Sequence, residues 1–159
     1  ACPPPYDGAS YFGNDALLDR NYQKTSAFDY VKTANGYLQA MMPYYKNFTW
    51  KGVMTSSEDG GEGNFERVQR MESAKTVKKV EGTEDVLVGV FEDKDAREGY
   101  MVVNFTDPGR KLDNEVTLTV ESVHNAIVVL NGVKSVRPVK DGKLTLSLKS
   151  GEGCFVIPY

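Results

Sequence analysis

The chain has 159 residues, 40% hydrophobic and 26% charged, with 22 acidic against 19 basic side chains and a net charge of -3. That balance describes an ordinary globular protein and excludes an extensively disordered one. With no basic stripe no nucleic-acid partner is expected, and with no run of the roughly 18 to 20 apolar residues that cross a bilayer no membrane partner is expected either.

In chain order, Ala1-Cys2-Pro3-Pro4-Pro5 opens an extended arm, because successive prolines donate no backbone hydrogen bond. The start at Ala1 and not Met is expected of a processed or truncated chain, and whether that chain is cytoplasmic or secreted is left open. Leu17 and Leu18 stop at the polar turn Asp19-Arg20-Asn21. Thr25 or Ser26 then offers a hydroxyl to cap the helix that follows. Phe28, Val31, Ala34, Leu38, Met41 and Met42 recur at spacings of three and four, which predicts one amphipathic helix ending near Pro43.

From Phe48 onward the period becomes two. Val86, Val88 and Val90 alternate with Leu87 and Gly89, and Met101, Val103 and Phe105 with Val102 and Asn104. Val116, Leu118 and Val120 alternate with threonines, and Leu144, Leu146 and Leu148 with Thr145 and Ser147. Turn residues separate these runs, and Asn131-Gly132 and Asp141-Gly142 are hairpin signals. Short strands without intervening helices cannot pair in parallel, which needs long crossovers. The predicted fold is therefore mainly β, an antiparallel β-sandwich of about seven or eight strands with one N-terminal amphipathic helix. Residues 1–47 form the arm and helix, and residues 48–159 the sandwich domain. Thr55–Asn64, rich in Gly, Ser, Asp and Glu, reads as a loop.

The acidic pairs Glu58-Asp59, Glu84-Asp85 and Glu92-Asp93 fall in turns without apolar flanks, where a solvated carboxylate is expected, not a general acid. Asp93-Lys94-Asp95 lacks the Gly and distant Glu of a calcium loop. His124 is the sole histidine, which leaves no His-cluster zinc site, and no nucleophile elbow surrounds Ser122. Gly60-Gly61-Glu62-Gly63 lacks the Lys-Ser/Thr of a phosphate loop. Cys154 reads as a buried thiol, a bridge to Cys2 being the alternative, and the sequons at Asn47 and Asn104 read as chance occurrences. No catalytic residue, metal or cofactor is expected. Tyr44, Tyr45, Phe48 and Trp50 form the densest aromatic cluster and are the candidate carbohydrate-binding residues, since sugar rings stack on exposed aromatic faces.

Ala16-Leu17-Leu18-Asp19, Thr25, Tyr30, Val31 and Asn35, followed by Phe48-Thr49-Trp50-Lys51-Gly52-Val53, resemble the exit from the (β/α)8 barrel of bacterial glycoside hydrolases, beta-galactosidase-like ones in particular. Gly89-Val90-Phe91, Tyr100–Phe105, the Asn131-Gly132 hairpin and the closing Leu144–Leu148 with Gly151-Glu152-Gly153-Cys154-Phe155-Val156 resemble the all-β domain that follows such barrels. The resemblance implies a noncatalytic C-terminal accessory domain, structural or shaping the substrate cleft. It also implies a missing (β/α)8 catalytic domain as partner, with polysaccharide as a further one. A barrel needs about 250 residues, and the acid/base and nucleophile of the family have no counterpart here. The alternative is an autonomous carbohydrate-binding module that stacks glycans on the aromatic cluster.

Overall fold

The computed structural model describes residues 16–19, 21–57 and 68–159. The chain divides into two compact units, 1–40 and 41–159. Helix α1 (Ser26–Tyr45) follows a small turn in which the Asp19 carboxylate accepts the N–H groups of Asn21 and Gln23, both at 2.8 Å. Leu18 makes only an isolated antiparallel bridge with Lys24. The Thr25 hydroxyl donates to the Ala16 carbonyl instead of capping the helix, and the Thr25 carbonyl accepts the Phe28 N–H at 3.1 Å.

The apolar stripe of α1 is largely solvated. Val31 is 44% and Leu38 50% exposed, whereas Met41, in the last turn, is 4% exposed. An aspartate at Val31 or Leu38 therefore replaces a hydrated side chain, and such surface changes usually stay within about 0.5 kcal/mol. We expect Val31→Asp and Leu38→Asp to leave the melting temperature within about 2 °C of the parent by circular dichroism. Loss of the folded transition in either variant would place that stripe in a core.

The strands are β1 (Phe48–Thr55), β2 (Val77–Gly82), β3 (Val86–Asp93), β4 (Glu98–Asn104), β5 (Asn114–Val120), β6 (Asn125–Leu130), β7 (Val133–Pro138), β8 (Lys143–Leu148) and β9 (Gly153–Pro158). They form a six-stranded sheet in the order β1-β3-β4-β9-β6-β7 and a three-stranded sheet β2-β5-β8, and every strand pairing is antiparallel. The fold is thus mainly β, as the alternating runs predict. The strand without a sequence signal is β2. Its register shifts between Val77 and Lys79, so its two inward valines, Val77 and Val80, stand three residues apart and hide the period of two.

The main core lies between the sheets. Val88, Val90, Tyr100, Val102, Val128 and Val156 of the large sheet meet Val77, Val116, Leu118, Leu144, Leu146 and Leu148 of the small one. The small sheet is wet on its other side, as the exposed–buried alternation along β8 shows. Asn131 and Gly132, with φ of 50° and 76°, make the expected two-residue turn between β6 and β7. Asp141 and Gly142 adopt the same left-handed pair, at 50° and 71°, but this turn closes a single bridge, Lys140 to Lys143. Its arms then part, because β7 belongs to the large sheet and β8 to the small one.

Cys154 is a free thiol, fully buried, and desolvation pushes its pKa up to about 12. Cys2, the proline arm and the Gly60–Gly63 run lie outside the described residues. Asn104, the first residue of one sequon, is 2% exposed and its side chain is committed to internal hydrogen bonds, so it is not offered for modification.

Candidate functional site

Side chains that point away from the main core on the large sheet build a second apolar cluster. Phe155 on β9 and Val129 on β6 are completely buried there, with Met41 from the last turn of α1. Tyr44, Tyr45, Phe48, Phe91, Met101, Ile127 and Ile157 are partly buried around them. Phe155 is the centre. Three rings meet it edge to face, Phe48 at 5.4 Å, Tyr45 at 6.1 Å and Phe91 at 6.2 Å, the geometry that aromatic quadrupoles favour. Gly99 on β4 makes room for them. A Cβ there would stand 2.6 Å from the Phe155 ring and 2.9 Å from Phe48, closer than packed carbon atoms allow.

Of the four aromatic residues singled out from the sequence, Tyr45 and Phe48 are spent on Phe155. Tyr44 is half-buried, with the Lys134 ammonium 5.9 Å from its ring centroid. Trp50 is the exposed member, at 47%, one strand over from Phe91 in the same register row. The four do not form one flat row, because three of them turn into the cluster. Phe91, Met101, Phe155 and Val129 escaped sequence reasoning. A signal exists for Val129 and Phe155: residues 126–130 and 154–157 are continuous apolar runs, the pattern of strands covered on both faces.

The charged groups are employed in structure. Asp93 is buried, and its carboxylate accepts the N–H of Asp95 at 2.9 Å, the N–H of Arg97 at 3.0 Å and the Arg97 Nε–H at 2.8 Å. Desolvation works against its charge, but these bonds outweigh it and hold the carboxyl below the usual range. This is a loop brace, with Ala96 at φ 58° closing the β3–β4 turn.

Glu98 accepts the N–H of Lys75 at 2.9 Å, the N–H of Thr76 at 2.6 Å and the Tyr100 hydroxyl. Partial burial disfavours its charge, yet the hydroxyl and the two amides lower its pKa on balance. Tyr100 is driven strongly upward, first by burial and then by Glu98. Its oxygen in turn accepts the Val77 N–H at 3.2 Å, which ties β2 to β4 across the main core.

His124 is exposed, and its backbone joins the β6 end to Tyr159 and Val139. Glu92 pairs with Lys51 at 3.1 Å and Glu84 with Arg110 at 3.8 Å, while Glu58-Asp59 lies outside the described residues. Among the described residues no group of three or more His, Cys, Asp or Glu side chains is placed to hold a metal ion, and no helix is long and apolar enough to cross a membrane.

The surface formed by the described residues includes two open clefts of about 510 Å3 each. One is polar, with Ser56, Lys79, Glu81, Thr83 and Glu84 in its wall, and its Lys79 and Glu81 are paired at 2.7 Å. The other runs along α1 past Leu17, Phe28, Val31, Asn35 and Gly36. No protein-family model matches the chain, and no curated protein or solved structure matches it either.

Proposed function

We propose that this chain is a noncatalytic β-sandwich accessory domain of a carbohydrate-active enzyme, buttressing or shaping the substrate cleft of a (β/α)8 glycoside hydrolase barrel. One observation carries the reading as a scaffold. Three of the four candidate aromatic residues, Tyr44, Tyr45 and Phe48, are drawn into a second core around Phe155, while the apolar stripe of α1 at Val31 and Leu38 is left for another surface to cover. The sugar chemistry rests on the resemblance of the barrel-exit and closing-strand residues to those of beta-galactosidase-like enzymes. The second reading, an autonomous carbohydrate-binding module, is favoured by Trp50 alone, the one exposed ring of the four.

Affinity gel electrophoresis against soluble plant and microbial polysaccharides separates the two. A scaffold is expected to migrate unchanged in every gel, and to release no nitrophenol from nitrophenyl galactosides. Retardation by one polysaccharide that Trp50→Ala abolishes, with the melting temperature kept, would replace the scaffold reading with the binding module. Turnover by the chain alone would overturn both.

A further inference from the structure

The two edges of the large sheet are treated differently. At β1, the Val53 N–H donates to the Gln69 carbonyl at 2.9 Å and the Met71 N–H to the Val53 carbonyl at 2.8 Å, so the segment beside it covers that edge. At the other edge, β7 pairs with β6 only among the described strands, and five of its six residues are exposed. The two-residue turn sets which groups are free. Leu130 opposite Val133 is the closing hydrogen-bonded pair, so Val133, Ser135 and Arg137 turn their backbone polar groups to β6. The bond from the Val139 N–H to the His124 carbonyl, 2.8 Å, continues the same parity. Lys134 and Val136 therefore present N–H and C=O outward, four ladder groups ready for another strand.

The side chains of this edge say what that strand must carry. Val133 is 67% and Val136 53% exposed, an apolar invitation on either face. Lys134 and Arg137 are exposed, stand three positions apart and so lie on opposite faces, and neither forms an ion pair among the described residues, Lys134 meeting only the Tyr44 ring at 5.9 Å, which leaves its charge uncompensated. No acid occurs between Val133 and Pro138 in a chain whose net charge is -3. Pairing two copies through β7 would crowd four cations onto one short ladder with no counter-charge, and like charges on neighbouring strands repel.

We infer that β7 is a strand-addition site for an extended acidic segment of a partner protein, one with carboxylates three residues apart between β-branched residues. Main-chain bonds to Lys134 and Val136 supply the attachment, and Lys134 and Arg137 select the sign of charge. This inference does not depend on the carbohydrate reading.

The test uses the full chain and two synthetic peptides, Ac-TEVTEVT-NH2 and Ac-TKVTKVT-NH2, followed by amide NMR and hydrogen exchange. The acidic peptide is expected to bind at least about tenfold more tightly than the basic one, with the preference shrinking between about 50 and 300 mM salt. Slowed exchange at the Lys134 and Val136 amides is expected with it. Val136→Pro removes an outward donor with no ladder partner and should abolish binding at an unchanged melting temperature. The double variant K134E/R137E keeps the backbone intact and should reverse the peptide preference, which holds the test open even where the proline variant fails to fold. Equal binding of both peptides, no binding, or protection confined to other residues would each overturn the inference. So would a dimer seen by sedimentation that Val136→Pro dissolves, since it would give the edge to a second copy.

Discussion

Truncating Phe155 to Ala is expected to cost about 3 to 5 kcal/mol, the usual range for removing a fully buried aromatic side chain. In a chain of this size that lowers the melting temperature by about 2 to 4 °C for each kcal/mol. The effect is large because the ring is inaccessible and sits against Phe48, Tyr45 and Phe91 at once. Its removal leaves a hole on the far side of the large sheet that the three flanking rings, each anchored on a different part of the chain, cannot jointly fill. Trp50→Ala is the control. Its ring is 47% exposed and is not among the residues clustered around Phe155, so its loss should cost less than about 1 kcal/mol. Chemical denaturation of both variants decides the matter: equal losses would mean that the outer cluster is no core, and that Phe48 and Tyr45 are as available to a ligand as Trp50.

Asn104→Ala is the second substitution expected to be severe. The Asn104 amide donates to the carbonyls of Leu112 at 2.8 Å and Lys149 at 3.1 Å, and its oxygen accepts the Thr106 hydroxyl at 3.0 Å. The neighbouring Asn114 accepts the Glu84 N–H at 3.2 Å and donates to the Asp85 carbonyl at 3.1 Å. These two side chains satisfy the backbone where β3, β4, β5 and β8 end together, a place too dry for water to take over, since Asn104 and Asn114 are 2% and 1% exposed. Alanine strips partners from several groups, each costing about 1 to 3 kcal/mol when buried unpaired. A loss of at least 2 kcal/mol in urea unfolding is expected on that basis. Asn104→Asp restores the shape but loses the amide donors and should recover little. A fully stable alanine variant would mean that water enters the junction.

Those two residues mark the limit of sequence reading here. Asn104 was legible as part of a strand and as a sequon, yet nothing in its local pattern tells that its amide bridges to residues eight and forty-five positions away. Asn114 is equally silent. For the strands with a wet face, β5 and β8 above all, alternation of apolar and polar residues was sufficient, because the inward side chains must leave water and the outward ones need not. For β6 and β9 the unbroken apolar runs carry the further information that both faces are covered, a signal that points to Phe155 and Val129, whereas aromatic density points to Tyr44 through Trp50 and misses them.

By itself the sequence determined the period-two strands, the single helix, the left-handed turns at Asn131-Gly132 and Asp141-Gly142, and the absence of charge or apolar runs suited to nucleic acid or a bilayer. Each of these follows from residues within a few positions of one another, where steric and hydrophobic preferences act directly. Only the tertiary structure decided that the arms of the second turn part into different sheets, that Tyr45 and Phe48 turn onto Phe155, and that among the described strands the outer side of β7 has no partner. Strand order and edge exposure are settled by pairings such as β4 with β9, fifty residues apart in the chain. The free energy of such a pairing depends on what every other strand covers, so no local pattern encodes it.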